Sequence, residues 1–237
     1  MSRLIARCTS RSEHHVVIVW KIDLDEPLLA APQRRKWLDD EELSRFASFV
    51  RPNDARNYVA AHTSLRDILG RILTCNPIDI RFQRDSLGRP RVDTGAFDFS
   101  MSHAGKLCLV AISQVHRIGI DLENVRQPIE PGLLDLIAGP TERARLEREP
   151  TVHEAILSLW VAKEAVLKAD GAGLTRDPRS IAVHWDARRS SGIALDGSRP
   201  ILWGLTKLDL GSEWVSVLAT TARVRAQDII LRTYSPR

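Results

Sequence analysis

Short apolar runs rich in β-branched residues alternate with helical patterns along the chain, so strands and helices are expected in one mixed fold. Val16 to Ile22 reads as a strand, and Pro27 and Pro32 mark the loop after it. Leu38 to Val50 carries acids in its first turn and apolar residues at helical spacing, and Pro52 ends it. Asn53 or Asp54 caps a second helix running to about Leu73. Asp79 to Gln83 predicts a strand, and Asp85 to Pro90 (DSLGRP) a turn. Leu107–Ser113 and Ile118–Leu122 flank a short polar connection, predicting a hairpin or close neighbours in one sheet. Helices are expected through LLDLIAG after Pro128 and Pro131, over Thr141–Glu149, and, most strongly patterned, over Val152–Ala169 with Gly171 at its C′ position. Four β-like runs follow: Ile181–Trp185, Ile201–Leu208, Trp214–Thr220 and Asp228–Thr233. The class is α+β, with a seam near residues 114–118 and no internal sequence repeat.

Composition narrows the function classes. The chain has 237 residues, enough for one large or two small domains with a real core. A net charge of +4 favours acidic partners or phosphorylated ligands. The basic residues are scattered, and at 5% aromatics a base-stacking platform has little support, so no nucleic-acid partner is expected. The three cysteines, Cys8, Cys75 and Cys108, form no C-x-x-C, which excludes a zinc knuckle and fits a reducing cytoplasm. His14 and His15 are adjacent and offer no metal-ligand spacing. The N-terminus lacks a secretory apolar core, and no stretch reaches the length of a membrane span. P-loop, Rossmann and nucleophile-elbow motifs are all missing.

Three places carry candidate chemistry. In GIDLE, Asp121 and Glu123 alternate with Ile120 and Leu122, so a strand puts both carboxylates on one face, about 7 Å apart. An oxygen-only pair of this kind suits a hard cation, although a solvated strand edge reads the same way. On the helix Val152–Ala169, Lys163 falls within the apolar arc of Val152, Ile156, Leu159, Val166 and Leu167. A lysine there must find an anion or snorkel to water. Glu164 and Lys168 lie at the rim of that arc, where they form either an ordinary surface pair or one side of a cleft for phosphates and metal. In FSMSHAG, Ser102 and His103 are placed in a polar loop before a strand, where a hydroxyl, an imidazole and backbone amides can bind a phosphate or make a plain turn.

Taken together and in order, FSMSH, GIDLE and WVAKEAVLKADGAGL resemble the phosphopantetheinyl transferases of the surfactin-synthetase-activating (Sfp) type, whose patterns are F-N-x-S-H, G-[IV]-D-[IVL]-E and W-x-x-K-E-[AS]-x-x-K-x-x-G-x-G-L. The resemblance is clear from about residue 85 to 175 and looser before it, where Arg51, Arg56 and Tyr58 fall in the region the family uses for coenzyme A. It implies two similar α+β halves related by a pseudo-twofold axis, each a small mainly antiparallel sheet packed with helices, with the active site between them. The division is expected at 1–116 and 117–237. It also implies a magnesium enzyme, with manganese an alternative, that moves the 4'-phosphopantetheine arm of coenzyme A onto a serine of an apo acyl or peptidyl carrier protein and releases 3',5'-ADP. Asp121, Glu123 and Glu164 would be the metal ligands. Glu164 would act as general base and Lys168 would stabilise the leaving group. Arg56, Arg89, Ser102, His103, Lys163 and Lys168 would contact coenzyme A, with Arg89 and His103 on its 3'-phosphate and Lys163 and Lys168 facing its pyrophosphate. A cytoplasmic monomer serving secondary metabolism is expected. The sequence departs from the family pattern at Ser100, where asparagine is usual. A metal-dependent phosphodiesterase or nuclease and a non-catalytic coenzyme A-binding module remain the alternatives.

Overall fold

The computed structural model describes residues 16–93, 95–186, 190–197 and 201–236; Cys8, His14 and His15 lie outside them. Eleven strands and five α-helices are formed among these residues: β1 Val17–Asp23, α1 Asp40–Ala47, α2 Pro52–Leu73, β2 Phe82–Arg84, β3 Pro90–Val92, β4 Asp98–Ala104, β5 Leu107–Ser113, β6 Ile118–Asn124, α3 Leu133–Ile137, α4 Pro140–Leu146, α5 Val152–Asp170, β7 Ile181–Trp185, β8 Ser191–Asp196, β9 Leu202–Lys207, β10 Trp214–Thr220 and β11 Ile229–Thr233. One sheet has the order β11-β1-β5-β4 and a second β6-β10-β9-β8-β7, while β2 and β3 form a separate hairpin. Pairing is antiparallel throughout except between β1 and β11, which are parallel. The architecture is the expected α+β, with antiparallel sheets packed against helices. The C-terminal strand β11 crosses back to complete the first sheet, so that sheet draws on both ends of the chain.

Strand alternation builds three layers of core. Trp20, Ile22, Cys108, Val110 and Ile112 point to one face of the first sheet and pack on Ala60, Ala61, Leu65, Ile68 and Leu69 of α2. Val17, Val19, Leu107, Leu109 and Ala111 point to the other face and meet Ile118, Ile120 and Leu122 of β6 and Leu218 of β10. The second sheet turns its remaining face to α5, through Leu159, Val161, Ala162, Ala165, Val166 and Ala169. The middle layer, where β6 and β10 meet the first sheet, joins the two sheets face to face.

Several local expectations change. β5 and β6 are not sheet neighbours: β5 pairs with β4 and β1, while β6 opens the second sheet as an edge strand beside β10. The segment FSMSHA is not a loop but lies on β4, which forms the true hairpin with β5 around Gly105, at φ 50°. The polarity of its outward residues hides the strand pattern, because they face β6 rather than solvent. Pro52 begins α2 as its first helical residue, with Arg51 at the cap position, and α1 closes earlier at Ala47. A 3₁₀ turn occupies Pro77–Asp79, and the strand predicted there begins at Phe82. Among the described residues no helix is long and apolar enough to cross a membrane.

Candidate active site

Gly119 sets the geometry. A Cβ at this position would lie 1.9 Å from the Ala165 carbonyl oxygen and 2.5 Å from the Ala169 amide nitrogen, so the backbone of α5 rests directly on β6. Gly119, Asp121 and Glu123 share the face of β6 that looks toward α5, while Ile118, Ile120 and Leu122 enter the core between the sheets. This close approach brings Glu164 and Lys168 of α5 to the carboxylates of β6.

Asp121 is 4% exposed and its Oδ1 accepts two hydrogen bonds, from Lys168 Nζ at 2.7 Å and from Ser102 Oγ at 2.7 Å. Lys168 Nζ also donates to Ser102 Oγ at 3.0 Å, closing a three-membered cluster. Ser216 of β10 donates to the Asp121 carbonyl at 3.0 Å and fixes the strand from its other side. Glu123 and Glu164 are both half-buried. Burial pushes the Glu123 carboxyl above its usual range, with the negative charge of Asp121 adding to the rise and a hydrogen bond with the Trp160 side chain opposing it. Burial likewise raises Glu164, with Lys168 opposing the rise and Asp121 reinforcing it. Asp121, Glu123 and Glu164 therefore share one electrostatic site at the Lys168 ammonium.

β4 seals the opening edge of β6. Asp98, Ser100 and Ser102 alternate onto one side of β4; Asp98 Oδ2 accepts the Ile118 amide at 2.9 Å and Ser100 Oγ accepts the Ile120 amide at 3.1 Å. These side chains satisfy the amides of an edge strand that has no backbone partner there. The departure at Ser100 is thus accommodated by a short hydroxyl contact on a strand. Beside the cluster opens a cleft of about 920 Å³. Its walls include Tyr58 and His62 of α2, Pro90 of the hairpin, Lys168, and Gly173 after α5. The Tyr58 and His62 rings stack at 4.0 Å, and Glu42 Oε1 pairs with His62 Nδ1 at 2.9 Å. His103 is exposed; desolvation by the surrounding protein, then His62 and Lys168, lower its pKa below that of an ordinary imidazole.

The structure unites Ser102, Asp121, Glu123, Glu164 and Lys168 and sets His103 within electrostatic reach of Lys168. Two other expected contacts, those of Lys163 and Arg89, are corrected. Lys163 does find an anion, but not in a cleft: it is fully buried, and its Nζ donates to Glu142 Oε2 at 2.6 Å and to the Ile137 carbonyl at 2.5 Å, on the α3–α4 side of α5. Arg89 is 6% exposed, with its guanidinium engaged by four protein acceptors. Arg56 is an exposed residue paired with Asp25 at 2.9 Å. Sequence reasoning assigned no role to Trp160, Ser216 or His62. Trp160 stands in the third motif four residues before Glu164, yet only the fold shows it reaching Glu123.

The donor set fits a hard cation, as two observations indicate. All three candidate donors are carboxylates, and Asp121 Oδ2 and Glu164 Oε2 are buried with no hydrogen-bond partner. Among the described residues no group of three or more His, Cys, Asp or Glu side chains is already drawn together as a metal site. The positive charge against Asp121 is instead the Lys168 ammonium.

Comparison with known proteins agrees with this geometry. The family described as the 4'-phosphopantetheinyl transferase superfamily matches residues 117–219, and the one described as 4'-phosphopantetheinyl transferase, N-terminal, matches residues 30–115. The chain is 32% identical to the 4'-phosphopantetheinyl transferase HetI of Nostoc over 167 residues, covering 68% of this chain and 70% of that protein. It is 26% identical to the 4'-phosphopantetheinyl transferase Sfp of Bacillus subtilis over 179 residues, covering 73% and 79%. Over 166 residues it is 25% identical to the L-aminoadipate-semialdehyde dehydrogenase-phosphopantetheinyl transferase of Schizosaccharomyces pombe, covering 62% and 64%. With its matched segments carrying the carboxylate strand, the helix beside it and the cleft, the chain belongs to the 4'-phosphopantetheinyl transferase superfamily.

Proposed function

We propose that this enzyme is of the surfactin-synthetase-activating type and moves the phosphopantetheine arm of coenzyme A onto the serine of an apo acyl or peptidyl carrier protein in a metal-dependent reaction. The observation that carries the reading is the Asp121–Ser102–Lys168 cluster at the edge of the cleft, with the orphaned Glu164 Oε2 beside it. We read the chain as two halves divided near residue 116, with β11 shared back to the first, and as a cytoplasmic monomer of secondary metabolism.

The cleft has the volume for the nucleotide end of coenzyme A. His103 binds the 3'-phosphate in this reading, and its depressed pKa makes that contact strengthen as pH falls. Ser102 holds Asp121 and Lys168 in register, its one hydroxyl proton donated to Asp121 and its oxygen accepting from Lys168. Asp121, Glu123 and Glu164 would hold Mg²⁺, or Mn²⁺, which neutralises charge at the pyrophosphate when bound. The carrier serine oxygen attacks the phosphorus bearing pantetheine, a new P–O bond forms, and the bond to 3',5'-ADP breaks. Glu164 takes the serine proton, a contribution of about 10²–10⁴-fold, and the upward shift of its pKa by burial makes it a stronger base than an ordinary carboxylate. Lys168 stabilises the charge developing on the departing phosphate. The net charge of +4 assists encounter with an acidic carrier surface.

The test is transfer by Asp121→Ala and Glu164→Ala proteins whose fold is verified by circular dichroism. Both lose transfer in this account. Turnover near the wild-type rate in either would remove the metal assignment. Metal-dependent cleavage of phosphodiesters without a carrier would favour the nuclease alternative.

A further inference from the structure

Arg89 stands in the turn of the β2–β3 hairpin and is itself among the residues lining the cleft, yet its guanidinium is spent on acceptors within the protein. Nη1 donates to the Ala169 carbonyl near the C-terminus of α5 at 2.5 Å. Nη2 is shared among Asp98 Oδ2 at 2.8 Å and the Phe99 carbonyl at 2.9 Å, both on β4, and the Ile118 carbonyl on β6 at 2.6 Å. Asp98 Oδ2 accepts the Ile118 amide as well, so one carboxylate and one guanidinium bridge both sheets. Gly171, at φ 90°, leaves room for this: a Cβ there would lie 3.3 Å from Arg89 Cβ.

We infer that Arg89 is a positioning residue that clamps the cleft hairpin to β4, β6 and α5, the elements that carry Ser102, Asp121, Glu123, Glu164 and Lys168. With four acceptors inside the protein, its planar donors are committed to the fold. Hairpin, strand and helix end are thereby joined at a single side chain. The inference concerns the same site as the proposed transfer and rests on that reading.

The experiment compares Arg89→Gln, Arg89→Lys and Asp98→Asn with wild type, and uses His103→Ala as a control. Dissociation constants are measured for coenzyme A and for dephospho-coenzyme A, which lacks the 3'-phosphate, together with transfer rates for each and thermal midpoints. Wild-type transfer to an apo carrier is established first, so that failure of the functional reading is seen separately. The clamp predicts that Arg89→Gln slows transfer by about 10²-fold, the scale of a small misplacement of reacting groups, equally for both donors. The ratio of the two dissociation constants stays at the wild-type value, whereas His103→Ala brings the ratio toward one. Asp98→Asn, at a position whose native carboxylate has no donor for a phosphate, shows the same equal loss in milder form. Arg89→Lys, able to reach one or two of the acceptors, lies between wild type and Arg89→Gln and keeps the test open if the glutamine variant does not fold. A ratio that collapses in the Arg89 variants while Asp98→Asn behaves as wild type would assign Arg89 to the phosphate and overturn the clamp. A lowered thermal midpoint with unchanged transfer per folded molecule would overturn it equally.

Discussion

Lys168 Nζ lies 2.7 Å from Asp121 Oδ1, so a side-chain ammonium stands at the most buried of three neighbouring carboxylates. This contact connects α5 to β6 and keeps the anionic cluster compensated. Lys168→Met removes the compensation. The free protein then melts at a lower temperature, while Mg²⁺ raises the midpoint more in the variant than in wild type, because the ion no longer competes with the ammonium. Transfer falls by about 10²–10³-fold with loss of the positive charge at the leaving group. Thermal shift with and without Mg²⁺ checks this; an equal or smaller metal shift in the variant contradicts it.

Glu164 gives a pH-dependent counterpart. Its folded-state pKa is raised by burial, so the folded protein keeps a proton that the unfolded chain has released. The carboxyl therefore costs stability as pH rises through the interval between the ordinary value of about 4.3 and the raised one. Glu164→Gln abolishes transfer yet raises the midpoint of the metal-free protein at neutral pH, and the gain fades as pH falls below the ordinary value. Melting curves of the two proteins across pH decide it. A gain that persists unchanged into acid, or no gain at neutrality, counts against the assignment.

Lys163 separates fold from chemistry within one motif. Its salt bridge to Glu142 is buried, and Glu142 Oε1 also accepts the Val183 amide at 3.1 Å. Lys163→Ala leaves Glu142 with an uncompensated buried charge and costs about 3–5 kcal/mol. Coenzyme A affinity, measured well below the midpoint, stays at the wild-type value. Weakened affinity at unchanged stability would return Lys163 to the phosphate-binding role.

Gly119→Ala sets a methyl against the backbone of α5, where no flexible side chain can yield. Overpacking of this kind costs at least about 3 kcal/mol, and any surviving fold has α5 lifted off β6. Denaturant melts should show the loss, and the residual folded protein should bind Mg²⁺ weakly. Wild-type stability and activity in this variant are incompatible with the close packing.

Much of this was legible in the sequence, for definite reasons. Val152–Asp170 shows its helix through apolar spacing and a C′ glycine, and GIDLE shows its strand through strict alternation with both carboxylates on one face. The wheel left Lys163 either an anion or a path to water, and Glu142 supplies the anion. What sequence could not show was which anion, because Glu142 comes from a short helix 21 residues earlier. β4 has the pattern of a loop because Asp98, Ser100 and Ser102 are polar on a face that is buried against β6; partnered polar side chains there imitate solvent exposure. β8 and the return of β11 to β1 were hidden for a different reason, as strand order depends on long-range pairing rather than on local pattern. The resemblance placed Arg89 on a phosphate, and only the four acceptors around it reveal a residue committed to the fold.

The most direct test of the account is the intact mass of an apo carrier protein after incubation with this enzyme, coenzyme A and Mg²⁺, with chelator in a parallel reaction. A gain of one phosphopantetheine on the carrier, lost when the metal is chelated, is the predicted result. No gain on either an acyl or a peptidyl carrier, with coenzyme A still bound to the protein, would contradict it and leave a coenzyme A-binding module.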